Sequence, residues 1–166
     1  MTIQELKPAL IWKYFDEILQ IPRPSKKEDK IIKYLMDFAA EYNLEVLKDE
    51  VGNVLIKKPA KPGKENSKTV ILQSHSDMVC EKNQDTEHDF DNDPIKAYID
   101  DDWIKAEGTT LGGDDGIGIA AALAVLSSDN IEHGPLEALF TADEETGMSG
   151  AFGLKEVFME GKILIK

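Results

Sequence analysis

The sequence has 166 residues, little cysteine, few basic residues relative to acidic ones, and no long apolar run. Its single cysteine, Cys80, excludes an internal disulfide and agrees with a reducing compartment such as the cytoplasm. No apolar stretch approaches the ~20 residues that cross a bilayer, and nothing near the N-terminus has the order of a signal peptide. We therefore expect a cytoplasmic protein that is neither exported nor membrane-bound.

Basic residues are outnumbered, since 19 lysines and arginines face 32 acidic residues and give a formal net charge of −13. Such a charge repels nucleic acid and anionic membrane surfaces, so neither is expected as a partner. The acid is concentrated in residues 76–115, which hold three lysines and thirteen acidic side chains. A cluster of this kind is usually a solvated loop, although carboxylates near strand ends are also ligands of divalent cations.

The order of segments predicts one α/β domain, a sandwich in which helices cover a mixed, largely parallel sheet. A Ser25-x-x-Glu28 pattern indicates a capping box before the second helix. The last strand stops where a buried strand would normally continue, which suggests a fragment of a longer polypeptide. Helices are predicted over residues 8–20, 26–42, 116–127 and 149–159, and strands over 44–48, 53–57, 69–74, 97–99, 103–105, 136–141 and 163–165.

His75-Ser76-Asp77 follows the strand predicted at 69–74, at the sheet edge where α/β proteins bind ligands. Strand alternation puts His75 and Asp77 on the same face. An imidazole there can bind a metal while a carboxylate two residues away supports it. A single histidine at a strand end is, however, more often hydrogen-bonded than a metal ligand.

The segment 109–116, Thr-Thr-Leu-Gly-Gly-Asp-Asp-Gly, is a glycine-rich loop that opens the helix predicted at 116–127. Its glycine spacing matches no nucleotide-binding motif, and two aspartates at a helix start would repel a phosphate. They suit a cation instead. Asp115 is also a candidate N-cap of this helix, alongside metal binding by Asp114.

Glu144 and Glu145 follow the strand predicted at 136–141, so a second strand end also carries acid. Adjacent side chains point apart, so one can bind a metal while the other takes a proton from water. An acidic pair in a loop is ordinarily surface decoration. The convergence of three such segments favours a metal site with mixed nitrogen and oxygen ligands of the kind zinc accepts, although the HExxH pattern known from zinc peptidases is absent.

These motifs closely resemble those of the aminoacyl-histidine dipeptidases, or cytosol non-specific dipeptidases, in the di-zinc peptidase family that includes aminoacylase and peptidase T. The resemblance covers essentially the whole chain. It implies that His75 binds one zinc ion, Asp114 bridges two, and Glu145 binds the second. It further implies that Asp77 orients His75 and that Glu144 is the general base toward the attacking water. The densest stretches are residues 22–25, 51–59, 72–94, 108–118 and 133–154.

The same resemblance predicts a cis peptide bond between Asp114 and Asp115. It also implies that residues 1–166 are the N-terminal portion of the catalytic domain. A further aspartate ligand, a further histidine ligand and a lid domain that mediates dimerisation would then be missing. The fragment by itself is expected to be inactive.

The predicted activity is hydrolysis of unblocked dipeptides, including those that end in histidine. A related amidohydrolase or carboxypeptidase would use the same metal chemistry, because the lid selects the substrate. A non-catalytic relative that serves as a scaffold is the third possibility. The presence of all five site residues, His75, Asp77, Asp114, Glu144 and Glu145, argues against that scaffold.

Overall fold

The computed structural model describes residues 2–155 and 158–166. In this part of the chain, no helix combines the length and the apolar character that a membrane span requires. The strands are β1 (Glu45–Lys48), β2 (Val54–Lys58), β3 (Val70–His75), β4 (Ala97–Asp100), β5 (Trp103–Ala106), β6 (Leu136–Thr141) and β7 (Ile163–Ile165). The helices are α1 (Ala9–Leu19), α2 (Asp29–Glu41), α3 (Gly113–Ser127), α4 (Glu144–Gly147) and α5 (Ser149–Gly153), after a 3-10 turn at Ile3–Glu5.

The main sheet has five strands in the order β1-β2-β6-β3-β7, and β4 pairs with β5 in a separate hairpin. The pairings of β1 with β2 and of β2 with β6 are antiparallel. Those of β3 with β6 and with β7 are parallel. This mixed sheet with its covering helices confirms the predicted α/β fold.

Apolar side chains fill both faces of the sheet around its central strand β6, all six residues of which are buried. The larger core lies between the sheet and helices α1, α2 and α3. Because adjacent residues of a strand face opposite ways, Ile56 belongs to this core while Leu55 belongs to a smaller one on the other face. The burial of α3 against the sheet explains why its sequence is apolar on nearly every side.

The predicted helix over residues 149–159 is wrong beyond Gly153, where α5 ends. Leu154 has extended backbone angles, and Glu156 and Val157 lie outside the described residues. Leu154, Phe158 and Met159 pack on the smaller core. These apolar side chains therefore cover the sheet from a segment that follows the end of α5, and their burial does not require a helix. Predicted helices 8–20 and 116–127 and the hairpin at 97–105 are confirmed to within about three residues.

Lys58 ends β2 and stabilises the C-terminal end of α3. Its Nζ donates to the carbonyls of Ser128 (2.6 Å) and Val125 (3.3 Å). Because a cation there offsets the exposed carbonyls of the last turn, Lys58→Met should lower the free energy of unfolding by about 1–2 kcal/mol in urea titrations.

The matched control is Lys57→Met, which removes a surface lysine whose Nζ pairs with Glu160 at 2.9 Å. Exposed ion pairs contribute little to stability, so this variant should lose much less. Equal losses for the two variants would contradict the capping role of Lys58.

Candidate metal centre

Strand register brings two of the predicted acidic segments to one edge of the sheet. Strands β3 and β6 are parallel neighbours, and His75 lies opposite Thr141 in their register. The segments that follow both strands therefore emerge side by side. Ser76 strengthens this junction, since its amide and its hydroxyl both donate to the carbonyl of Thr141, at 2.8 and 3.1 Å.

His75, Asp114 and Glu145 form a cluster in which one potential ligand atom from each lies within 4.8 Å of the others. It is the one such group of three or more found among the described residues. His75 is buried, Glu145 is half-buried and Asp114 is exposed. The cluster thus opens to solvent on the Asp114 side. The structure brings together all three residues that the sequence analysis assigned to metal binding.

Asp77 lies beneath this cluster with no exposed surface. Its carboxylate accepts hydrogen bonds from His75 Nδ1 at 3.2 Å and from Ser25 Oγ at 2.7 Å. It also accepts the backbone amides of Glu144 (3.0 Å) and Glu145 (3.1 Å). One buried carboxylate therefore orients the imidazole and fixes the start of α4, where the acidic pair lies.

These contacts decide the charge of Asp77. Burial alone would raise the pKa of this carboxyl, but the hydrogen bonds from His75, Ser25 and the two amides outweigh it and hold the pKa well below its usual range. Asp77 is therefore ionised at neutral pH. This fixed negative charge holds a proton on Nδ1 and orients the ring so that Nε2 faces Asp114, whose Oδ1 lies 2.9 Å away.

The acidic start of α3 has two parts with different roles. Asp114 and Asp115 have non-helical backbone angles, so regular helix begins at Gly116. Asp115 Oδ1 accepts the amide of Gly118 at 3.1 Å, which confirms the predicted N-cap. The predicted cis peptide bond between Asp114 and Asp115 is also confirmed. Asp114, freed from the helix, presents its carboxylate to His75.

The predicted capping box at Ser25 and Glu28 is wrong. The helix α2 begins at Asp29, Ser25 donates to Asp77, and Glu28 Oε1 accepts the amide of Asp143 at 2.8 Å. Both side chains thus support the candidate centre rather than their own helix. A local pattern could not reveal this, because the partners lie 52 and 115 residues away along the chain.

Asp143 has a left-handed backbone, with φ of 52°, in the turn between β6 and α4. Its carboxylate accepts the hydroxyls of Thr146 and Ser149, the latter at 2.5 Å. Asparagine and aspartate tolerate this conformation better than other residues with a side chain, because the short polar group bonds locally. The turn aims Glu144 and Glu145 back toward Asp77.

The protonation states in the cluster are those of crowded carboxylates around an imidazole. Burial lowers the pKa of His75, but hydrogen bonds with Asp77 and Asp114 raise it overall to about 9. Burial raises the pKa of Glu145, and the nearby carboxylates of Asp114 and Glu144 raise it further. A proton on His75 therefore offsets part of the negative charge of these carboxylates, a role that a bound cation would take over.

The donor set fits a divalent metal that accepts mixed ligands. One imidazole nitrogen and two carboxylates match the ligands that zinc takes, and Asp77 supplies the second-layer carboxylate typical of zinc-bound histidines. Three ligands are one short of the usual four. Glu144 is adjacent to a member of the cluster but, among the described residues, is not part of it. Its carboxylate is left for another task.

Two known dipeptidases are similar to this chain over nearly its whole length. The chain is 52% identical over 163 residues to the cytosol non-specific dipeptidase of Escherichia coli (strain K12), covering 98% of this chain and 34% of that protein. Its fold matches the aminoacylhistidine dipeptidase of Vibrio alginolyticus with a TM-score of 0.97 and 54% identity, over 99% of this chain and 34% of that one. This chain spans about a third of the length of these two relatives.

A more distant relative shares the same architecture. The aminopeptidase PepT of Bacillus cereus matches with a TM-score of 0.77 and 29% identity, over 93% of this chain and 42% of that one. In addition, residues 71–164, which run from β3 to β7 and include all five candidate site residues, match the peptidase family M20/M25/M40. This chain therefore belongs to the peptidase family M20/M25/M40.

Proposed function

We propose that this chain carries most of the metal site, within the N-terminal portion of the catalytic domain, of a two-zinc dipeptidase that hydrolyses unblocked dipeptides, including those ending in histidine. The observation that supports it most directly is the clustering of His75, Asp114 and Glu145 above the buried Asp77. The names of its relatives from E. coli and V. alginolyticus support the substrate class. The name of the E. coli relative also supports a cytoplasmic location.

The proposed ligands divide between two ions. His75 would bind one zinc ion through Nε2, Glu145 would bind the other, and Asp114 would bridge them with its two carboxylate oxygens. A carboxylate has two oxygens, so Asp114 would be able to serve both ions. We expect the remaining aspartate and histidine ligands to come from residues outside these 166, together with a lid domain through which the protein forms a homodimer.

When bound, the zinc ions would polarise the scissile carbonyl of the dipeptide and favour ionisation of the attacking water. The protein's own groups then handle the proton. Glu144 takes it from the water onto its carboxylate and can deliver it to the leaving amine. Asp77 contributes by holding the amide of Glu144 and the imidazole of His75, so that the base and one ligand keep a fixed separation.

The first test is metal dependence of hydrolysis by the full-length gene product, with a histidine-ending dipeptide as substrate. Activity should disappear on chelation and return when zinc is restored, because both the ligand set and the proposed chemistry require the metal. The 166-residue chain itself should be inactive and should bind zinc weakly, since it supplies too few ligands.

An N-acylated dipeptide and a longer peptide serve as controls for substrate class. Cleavage of these, with unblocked dipeptides left intact, would contradict the dipeptidase proposal and indicate a related amidohydrolase or carboxypeptidase. Failure to cleave any of them while zinc is bound would indicate a non-catalytic scaffold.

A further inference from the structure

Arg23 is the largest fully buried side chain of the molecule's described part, with 2% of its surface exposed. Its guanidinium donates to three backbone carbonyls. Nη1 reaches Asp77 O at 2.6 Å and Ser76 O at 3.2 Å, and Nη2 reaches Gly112 O at 2.5 Å. The backbone of Arg23 adds a fourth link, since its carbonyl accepts the amide of Met78 at 3.1 Å.

These contacts join two segments that are distant in sequence. Ser76 and Asp77 directly follow His75, whereas Gly112 stands two residues before Asp114. His75 and Asp114 are 39 residues apart along the chain. A planar guanidinium presents its donors in a rigid fork, so it fixes both the distance and the angle between the carbonyls it holds.

The start of α3 is shaped around this guanidinium. A Cβ added at Gly112 would lie 2.7 Å from Nη2, and one added at Gly116 would lie 2.8 Å from it. Gly112 also has a left-handed φ of 69°. The two glycines on either side of Asp114 therefore leave the room that Arg23 occupies.

The charge of Arg23 is balanced by the site rather than by a direct partner. None of the ion pairs formed within residues 2–155 and 158–166 involves Arg23. Burial lowers its pKa to about 10, and the carboxylates of Asp77, Asp114 and Asp115 oppose that shift. Arg23 is therefore charged at neutral pH and lies beneath an acidic cluster.

We propose that Arg23 is a positioning residue that sets the separation between His75 and Asp114 by tying the loop after β3 to the loop before α3. This inference rests on the proposed function for its consequence, because the two tied loops carry the proposed zinc ligands. The guanidinium itself donates to backbone carbonyls of the two loops and not to the side chains of the proposed ligands.

The test uses Arg23→Lys in the full-length gene product, with zinc as the only ligand. Lysine keeps the positive charge, but one ammonium cannot hold carbonyls from both loops in the geometry of the fork. Zinc affinity, measured by competition with a chelating indicator, should fall by ~10–100-fold, the range typical when an outer partner of a metal site is removed. Hydrogen exchange should accelerate in residues 76–78 and 112–116 with or without zinc.

Leu55→Ala is the control for loss of stability, because Leu55 is fully buried in the smaller core on the other face of the sheet. It should lower the thermal midpoint while leaving zinc affinity and local exchange in the two loops near wild type. A general structural effect of Arg23 would instead give the same pattern in both variants. That result would overturn the inference.

Gly116→Ala provides a second route to the same contact, since the new methyl group displaces Nη2 without removing the arginine. It should also weaken zinc binding, and the double variant with Arg23→Lys should lose little more than the worse single variant. If the fold-loss of zinc affinity in the double variant equalled the product of the two single losses, the two changes would act separately and the proposal would be contradicted. Absence of zinc binding by the wild-type protein would contradict the proposed function. Hydrogen exchange tests the positioning role independently of zinc, and unchanged exchange of the two loops in Arg23→Lys would contradict that role.

Discussion

Glu144→Gln should lower the turnover of an unblocked dipeptide by the full-length gene product by at least ~10²-fold, since a general base typically contributes 10²–10⁴-fold. Glutamine has the same shape as glutamate but cannot take a proton from water at neutral pH. Zinc content should equal that of the wild-type protein, because Glu144 lies outside the cluster that His75, Asp114 and Glu145 form. The measurements are kcat with saturating substrate and metal content after dialysis.

Glu145→Gln is the matched control, because it alters the adjacent residue of the same helix turn. This variant should lose zinc as well as activity, and excess zinc should restore part of the activity. Adding zinc should not help Glu144→Gln. Full activity in Glu144→Gln, or loss of zinc from it, would show that the assigned base is wrong.

Asp77→Asn should destabilise the fold by about 3 kcal/mol or more, because hydrogen bonds to a charged group contribute ~1.5–3 kcal/mol each and four donors converge on this carboxylate. An amide offers only one oxygen, and its NH₂ group cannot accept the hydrogen bonds of the donors that point at it. Zinc affinity should fall as well, because His75 loses its orienting partner. Urea unfolding and chelator competition measure the two effects.

Asp100→Asn is a suitable control for that experiment. Asp100 is an exposed residue at the end of β4 whose carboxylate accepts Lys105 Nζ at 2.5 Å on the surface. Removing this charge should change stability little and zinc affinity not at all. Equal changes in stability and in zinc affinity for the two variants would contradict the role of Asp77 in organising the centre.

The sequence was sufficient to predict the parts of the fold and of the candidate site that local patterns encode. The helical spacing of apolar residues located α1, and a segment that is apolar on nearly every side located α3. Polar residues just past buried strands indicated where His75 and Glu145 would lie. The capping aspartate Asp115 was also predictable, because a cap bonds within its own helical turn.

Partners distant in the chain were beyond this kind of reasoning. Ser25 and Glu28 matched a helix-capping pattern, but their hydrogen-bond partners are Asp77 and the amide of Asp143. Arg23 gave no signal, since nothing around it indicates burial of a charged side chain beneath three carbonyls. Such residues are found only once the tertiary structure shows which loops meet.

The register between β3 and β6 decides whether a misfolded molecule can still form the candidate metal centre. His75 reaches Asp114 and Glu145 because it pairs directly with Thr141 in the register of the two strands. A slip of one residue would shift it by about 3.3 Å and turn its imidazole to the reverse side of the sheet. Misaligned molecules would lack the nitrogen ligand, so a divalent metal that binds this site would stabilise only the correctly aligned ones by mass action. Metal binding would then favour the native register over registers shifted by one residue.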